Sequence, residues 1–353
     1  MRTVTLWLCA ALVAGSSALA QAPTTRPQNS VPPAPIAIPD DRYVAPPVAP
    51  APKPAAPAPR GGFKKIPIKA PTIADVFHPK TVEIPSQGLG TPAGTWTYAV
   101  YEPGGPFTAP NRAAVVLLPE GSDPVSAMEN LDLRTMARET GWRLIALPAP
   151  TRSPRPTAGT GAQLAEAQRM RDQDGARFDG ILAAVLSAEG AFAPPAIVAT
   201  SGTGDNLLSL LCGRPGRAPS PSHAVVMGGA IDAREAAACQ PNRVPALLIA
   251  RSTDDQSAPY GGGAQPALPG NGPGAQVLSA ATTRGLWAAL ARCGNGQPSI
   301  VWMPSNKGRI ALETHARCSA GGPVSMLSAI EGAQLPEGEE LRDLVANFLG
   351  GQG

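Results

Sequence analysis

Apolar residues recur along the chain in short blocks that alternate with helical patterns. Residues 113–118 form a continuous apolar run that ends at a Pro-Glu-Gly turn, which is typical of a strand buried on both faces. Residues 96–101 alternate at a period of two and predict an early antiparallel strand. Between residues 178 and 186, apolar side chains recur at i, i+3, i+4, i+7 and i+8, which predicts one buried helix face.

Further apolar blocks of strand length continue this alternation. They span residues 142–147, 196–200, 224–227, 246–250, 299–303 and 324–330. Other helices are predicted around residues 125–136, 206–212 and 341–349. Strands that alternate with helices predict an α/β domain with a mostly parallel central sheet and helices on both faces.

The first 20 residues have the pattern of a secretory signal peptide. Arg2 supplies the positive charge, residues 4–13 are apolar, and Ala-Leu-Ala at 18–20 is a small-residue cleavage site. Cys9 raises the alternative of a lipoprotein, although it follows a leucine and lies early in the segment. We therefore expect an exported protein, periplasmic or secreted.

A Pro/Ala-rich segment, residues 21–62, follows the predicted signal peptide. Such a composition cannot bury an apolar face, so it predicts a semi-extended linker. The alternative is a recognition segment for a partner. Residues 63–353 then form the predicted α/β domain.

Composition excludes several classes of partner. The net charge is +3 and the basic residues are scattered, which argues against nucleic acid as the main partner. After the signal segment no apolar stretch reaches the roughly 18 residues of a membrane span. No CxxC or paired-histidine spacing is present, so we predict no metal site and no cofactor.

Four cysteines remain after the signal segment: Cys212, Cys239, Cys293 and Cys318. An even number in an exported protein predicts two disulfides rather than a thiol nucleophile. The spacing alone leaves three connectivities open.

Ser201 is the candidate nucleophile. It lies between a predicted strand and a predicted helix, in the run Ala-Thr-Ser-Gly-Thr at 199–203. A nucleophile elbow needs small neighbours there, and its usual pattern is G-x-S-x-G. Ala and Thr replace the outer glycines in this chain. The alternative is a serine that only caps the following helix.

Around these residues the chain resembles the exported poly(3-hydroxybutyrate) depolymerase and feruloyl esterase group of α/β hydrolases. The resemblance runs from about residue 96 to residue 338. It is clearest where Val-Pro-Ala-Leu-Leu-Ile at 244–249 leads through Asp255 to Pro-Tyr-Gly-Gly at 259–262. It implies an α/β-hydrolase fold and a serine carboxylic-ester hydrolase.

Carried over from that family, Ser201 is the nucleophile and Asp255 the acid that orients a histidine, with Asp254 as the adjacent competitor. The backbone N–H groups of Gly202 and Gly121 form the implied oxyanion hole. The implied chemistry is acyl transfer from an ester to Ser201 and then to water.

The family's layout also bears on the cysteines. Trp287 before Cys293, and Cys318 before the last strand, match its C-terminal arrangement. We predict the pairs Cys293–Cys318 and Cys212–Cys239.

The chain departs from this family at two places. The family has a G-G-H-x-W-P-like segment after the last strand, and the corresponding residues 331–338 here contain no histidine. The His-Gly after the early strand is likewise replaced by Pro-Glu-Gly at 119–121. Of the three histidines in the chain, His78 precedes the core and His223 begins a strand. Only His315 follows Ser201 and Asp255 in the chain order of a triad, so it is the candidate base.

Two hypotheses follow. The first is an exported serine esterase that acts on a small-molecule or polymer ester. The second is a catalytically degenerate hydrolase that binds an envelope ligand without cleaving it. A purely structural envelope protein is a third, weaker alternative.

Overall fold

The structure is a computed structural model. It describes residues 77–84, 94–103, 112–131, 133–151, 153, 160–200, 202–213, 220–265, 276–294, 296–305 and 307–350. The predicted signal peptide and linker, residues 1–62, lie outside the described residues, as does the predicted start of the domain at residue 63.

The described residues form strands and helices in alternation. The strands are β1 (His78–Ile84), β2 (Gly94–Tyr101), β3 (Ala113–Leu118), β4 (Arg143–Pro148), β5 (Ala196–Ala199), β6 (His223–Met227), β7 (Ala246–Ser252), β8 (Gly263–Ala264), β9 (Gln276–Val277), β10 (Ser299–Met303), β11 (Arg309–His315) and β12 (Val324–Ile330). The helices are α1 (Pro124–Asn130), α2 (Leu133–Thr140), α3 (Gly161–Ala188), α4 (Gly204–Leu211), α5 (Ala233–Ala237), α6 (Ala280–Leu290) and α7 (Gly338–Leu349).

Ten of these strands form one sheet in the order β1-β2-β4-β3-β5-β6-β7-β12-β11-β10. The six central strands, from β4 to β12 in this order, are parallel. β1 and β2 at one side, and β10 and β11 at the other, are antiparallel to their neighbours. The order from β1 to β12, with β2 antiparallel, is that of the α/β-hydrolase fold. The predicted fold class is confirmed.

The sheet lies between two apolar layers, because alternate residues of each strand point to opposite faces. Val115 and Leu117 of β3 pack in the layer that contains α3, α4 and α6. Val116 and Leu118 pack in the layer that contains α1, α2 and α7. Both faces of the central strands are therefore buried, which explains why the sequence of β3 is continuously apolar.

The helix predicted around residues 125–136 is two helices in the structure, α1 and α2. Asp123 caps the first of them, with its carboxylate accepting from the Ser126 N–H at 3.1 Å, and Pro124 occupies the first turn. This is the usual chemistry of a helix start.

Both predicted disulfides are confirmed. Cys212, at the end of α4, is bonded to Cys239, which follows α5. Cys293, which follows α6, is bonded to Cys318 in the segment before β12. Each bond closes a loop of about the length that contributes roughly 3.5 kcal/mol in the chain-entropy model. Among the helices that the structure describes, none is both long and apolar enough to cross a membrane.

Candidate functional site

The carboxyl ends of the parallel strands meet at one edge of the sheet, where this type of fold places its ligands. We call it the carboxyl edge. Six loops begin there: those that follow β3, β4, β5, β6, β7 and β12. The opposite side, where the parallel strands begin, is the amino edge.

The turn after β5 lies against the loop after β3. Ser201 itself lies outside the described residues, and its neighbours Thr200 and Gly202 are described. Gly202 has a φ of +86°, and an added Cβ there would lie 3.6 Å from Pro119 Cγ. The Thr203 hydroxyl donates to the backbone carbonyl of Leu117 at 3.2 Å. The structure therefore brings Gly202 to the loop that contains Gly121.

Helix α4 starts in close contact with the turn after β6. A Cβ added to Gly204 would lie 2.2 Å from the carbonyl oxygen of Gly228, and one added to Gly229 would lie 2.7 Å from Gly204 Cα. Such distances require glycine, since side chains never approach backbone so closely. The Asp205 carboxylate also accepts from the Ala230 N–H at 2.6 Å. These contacts fix the start of α4 at the carboxyl edge.

Asp255 organises the loop after β7. Its Oδ1 accepts from the Ser257 N–H at 2.8 Å, the Ser257 hydroxyl at 2.6 Å and the Ala258 N–H at 3.1 Å. An added Cβ at Gly228 would lie 3.7 Å from Asp255 Oδ2, so the carboxylate lies beside the turn after β6. Asp254 is exposed. Its Oδ1 accepts from the neighbouring Thr253 hydroxyl at 3.2 Å. The geometry thus separates the two aspartates that the sequence left as competitors.

A buried arginine lies behind Asp255. The Arg251 side chain, near the end of β7, has an exposed fraction of 0%. Its Nη2 donates to the carbonyls of Ala258 at 2.8 Å and Pro259 at 2.5 Å. Burial lowers the pKa of Arg251, and the nearby Asp255 opposes that shift most strongly. Asp255 therefore supplies negative charge that a buried guanidinium needs.

Sequence reasoning missed Arg251. The available signal was one charged residue inside the apolar run Ala-Leu-Leu-Ile-Ala-Arg-Ser of β7. A charge in a strand buried on both faces requires partners, and carbonyls and carboxylates from the next few residues are the nearest candidates.

His315 lies at the amino edge. It is the last residue of β11 and is paired with Val324, the first residue of β12. Val324 is in turn paired with Leu247 near the start of β7. Asp255 lies beyond the other end of β7, so the length of a strand, about 17 Å at 3.3 Å per residue, separates it from His315. The structure does not bring these two residues together, and we drop the interpretation of His315 as the base.

The other two histidines also lie away from the carboxyl edge. His223 is the first residue of β6, and its ring packs edge-on against Trp142 and Phe348 at centroid distances of 6.1 and 5.8 Å. Burial, with a smaller effect of Arg112, lowers the pKa of His223. His78 is the exposed first residue of the outermost strand β1. All three histidines of the chain are thus accounted for in the described residues.

The loop after β12 contains a buried alanine, Ala333, and residues 331–338 contain no histidine. Ala333 is buried in the apolar layer that contains α7. A Cβ on Gly308 would lie 2.6 Å from the Ala333 N, and Arg309 forms an ion pair with Glu331 at 2.7 Å. Ala333 therefore anchors this loop in the core, while Glu331, Gly332 and Gln334 are exposed.

No protein-family model and no curated protein matches the chain. Among solved structures, an acetyl xylan esterase from Aspergillus awamori is similar over 71% of this chain and 94% of its own, with 10% identity and a TM-score of 0.42. A thermostable esterase is similar over 53% of this chain and 49% of its own, with 16% identity and a TM-score of 0.34. A dienelactone hydrolase-like promiscuous phosphotriesterase from metagenomic libraries covers 51% of this chain and 70% of its own, with 17% identity and a TM-score of 0.31. The α/β-hydrolase fold rests on the strand order described above, not on these similarities.

Proposed function

We propose that this chain is an exported protein of the α/β-hydrolase fold that binds an ester-type small molecule or polymer without hydrolysing it. The ligand site is the carboxyl edge. The observation that supports this proposal is that His78, His223 and His315 all lie away from that edge. A Ser-His-Asp mechanism needs a histidine between Ser201 and Asp255.

The chemistry of serine explains why the placement of the histidines supports this proposal. A serine hydroxyl is a weak nucleophile unless an adjacent base removes its proton. Asp255 cannot act on Ser201 through a histidine, and its Oδ1 is used by three donors of its own loop. In this proposal Asp255 balances the buried charge of Arg251 instead of orienting a base.

The proposal of export has separate support. Two disulfides are typical of proteins that fold in an oxidising compartment. The signal-like segment 1–20 and the Pro/Ala-rich segment 21–62 point the same way. We propose that residues 63–353 act as one binding domain at the end of that linker.

Ester hydrolysis through Ser201 is the second candidate function. It is favoured by the preserved framework, in which Gly202 lies against the loop that contains Gly121 and Asp255 lies beside Gly228. Enzymes that lose one triad member keep about 10³–10⁴ over the uncatalysed rate. Weak turnover that depends on Ser201 is therefore what this candidate requires.

Hydrolysis of p-nitrophenyl butyrate by the purified protein, beside the Ser201→Ala and His315→Ala variants, distinguishes the two functions. We expect the same background rate in all three proteins. Calorimetric titration with a 3-hydroxybutyrate trimer tests binding directly, and we expect heat of binding that Ser201→Ala retains. Turnover that Ser201→Ala abolishes would establish the esterase, and a protein with neither turnover nor binding of this trimer would contradict the proposed ligand class.

A further inference from the structure

The outermost strand β10 exposes three large apolar side chains in succession. Ile300, Val301 and Trp302 are 55%, 56% and 57% exposed. Successive side chains of a strand point to opposite faces, so these three residues leave exposed apolar surface on both faces of β10. β10 pairs with β11 on one side and ends the ten-stranded sheet on the other. Among the described residues, its outer backbone edge and both of its faces are therefore open.

The other outer strand is protected in the usual way. β1 carries Lys80 and Glu83, and charged side chains on an edge strand discourage pairing with a second sheet. β10, with the sequence Ser-Ile-Val-Trp-Met, carries no charge at all. An uncharged, β-branched and aromatic edge strand is a template for a further strand.

We propose that β10 pairs in antiparallel fashion with β10 of a second copy of this chain. A two-fold axis at Val301 places Val301 opposite its own copy and Ile300 opposite Trp302. Pro298 and Pro304 flank the strand at equal distances from Val301, and proline cannot donate to a ladder. The register centred on Val301 is the one in which all five residues pair and the prolines fall just outside.

The absence of charged side chains on β10 also favours a second copy of this chain as the partner. Two uncharged strands meet without like-charge repulsion, which would otherwise destabilise directly opposed residues. The one cation that lies over a described side chain of β10, that of Arg309 at 5.5 Å from the Trp302 ring centroid, forms an ion pair with Glu331. Opposed aromatic and β-branched side chains stabilise such a strand pair.

The area available sets the strength of the dimer. Three side chains and a five-residue ladder supply less than the roughly 800 Å² per partner of a standard interface. The dimer is therefore weak and depends on concentration. A second copy fits this edge because the pairing needs no surface beyond the strand itself.

Sedimentation velocity from about 5 µM to about 500 µM tests the proposal, since weak interfaces associate only at high concentration. We expect the sedimentation coefficient to rise from monomer to dimer with concentration. Val301→Lys places two like charges at the axis and should keep the protein monomeric throughout. The matched control is Thr81→Lys on exposed β1, which should dimerise like the parent. A parent that stays monomeric, or a Val301→Lys variant that dimerises equally, would overturn the proposal.

Cysteine cross-linking tests the register. Directly opposed residues of an antiparallel pair lie close enough for a disulfide, so Val301→Cys should form a disulfide-linked dimer on mild oxidation. Trp302→Cys faces Ile300 of the other copy and should cross-link much less. Equal cross-linking of the two variants would overturn the register.

Discussion

Replacing Glu189 by alanine is expected to lower the free energy of unfolding by about 3 kcal/mol. The Glu189 side chain, at the end of α3, is only 3% exposed. Its carboxylate accepts from Lys80 Nζ at 2.9 Å and from the Tyr98 hydroxyl at 2.6 Å. Arg143 Nη1 lies 3.7 Å from it and donates to the Glu189 backbone carbonyl. Removing one partner of a buried charge network leaves the others uncompensated.

The expected loss of about 3 kcal/mol for Glu189→Ala lies at the low end of the range for breaking a buried ion pair. The reason is that Lys80 is 41% exposed and can regain water. Burial and the Glu189 carboxylate together raise the pKa of Tyr98, so its hydroxyl remains a donor throughout the usual pH range. Urea unfolding measures the effect. Glu166→Ala on the same helix, which removes an exposed pair with Arg169, should leave the unfolding midpoint nearly unchanged. Equal midpoints for the two variants would show that the buried network does not stabilise the fold.

Replacing Asp255 by alanine is expected to lower the free energy of unfolding by about 2 kcal/mol. Three donors of the loop lose their acceptor, and a hydrogen bond to a charged group is worth roughly 1.5–3 kcal/mol. Partial exposure of Asp255 reduces their sum. Arg251 also loses the negative charge that opposes the effect of its burial most strongly.

Two variants sharpen this experiment. Asp254→Ala removes the exposed neighbour and should change the unfolding midpoint little. In a protein that already carries Arg251→Met, Asp255→Ala should lower the free energy of unfolding by about 1 kcal/mol less than it does in the parent. The reason is that the buried guanidinium is then no longer present. If Asp255→Ala and Asp254→Ala had the same small effect, Asp255 would have no structural role, and its place at the carboxyl edge would need a catalytic explanation.

The layered sheet could be predicted because strands that are buried on both faces have continuously apolar sequences. β3 and β7 are apolar nearly throughout, and the helices between the strands repeat at helical spacing. The four remaining cysteines predicted two disulfides, but they allow three connectivities, and the pairing followed the C-terminal layout of the family that the chain resembles.

The site was predicted less well because its geometry depends on pairing over long distances. His315 follows Asp255 in the chain, and only the antiparallel direction of β11 places it at the amino edge. The direction in which β11 runs cannot be derived from the periodicity or the composition of residues 309–315. Arg251 was missed for a different reason: its partners lie in the loop directly after β7, but the apolar run around it was interpreted only as a buried strand.

In the proposed binding function, no histidine activates Ser201. The most direct measurement is the intact mass of the protein after incubation with a fluorophosphonate, which forms a covalent adduct with an activated serine. We expect an unmodified mass, identical to that of the Ser201→Ala variant treated in the same way. A stoichiometric adduct that maps to Ser201 and is absent from Ser201→Ala would contradict the account, because it would require a base at the carboxyl edge.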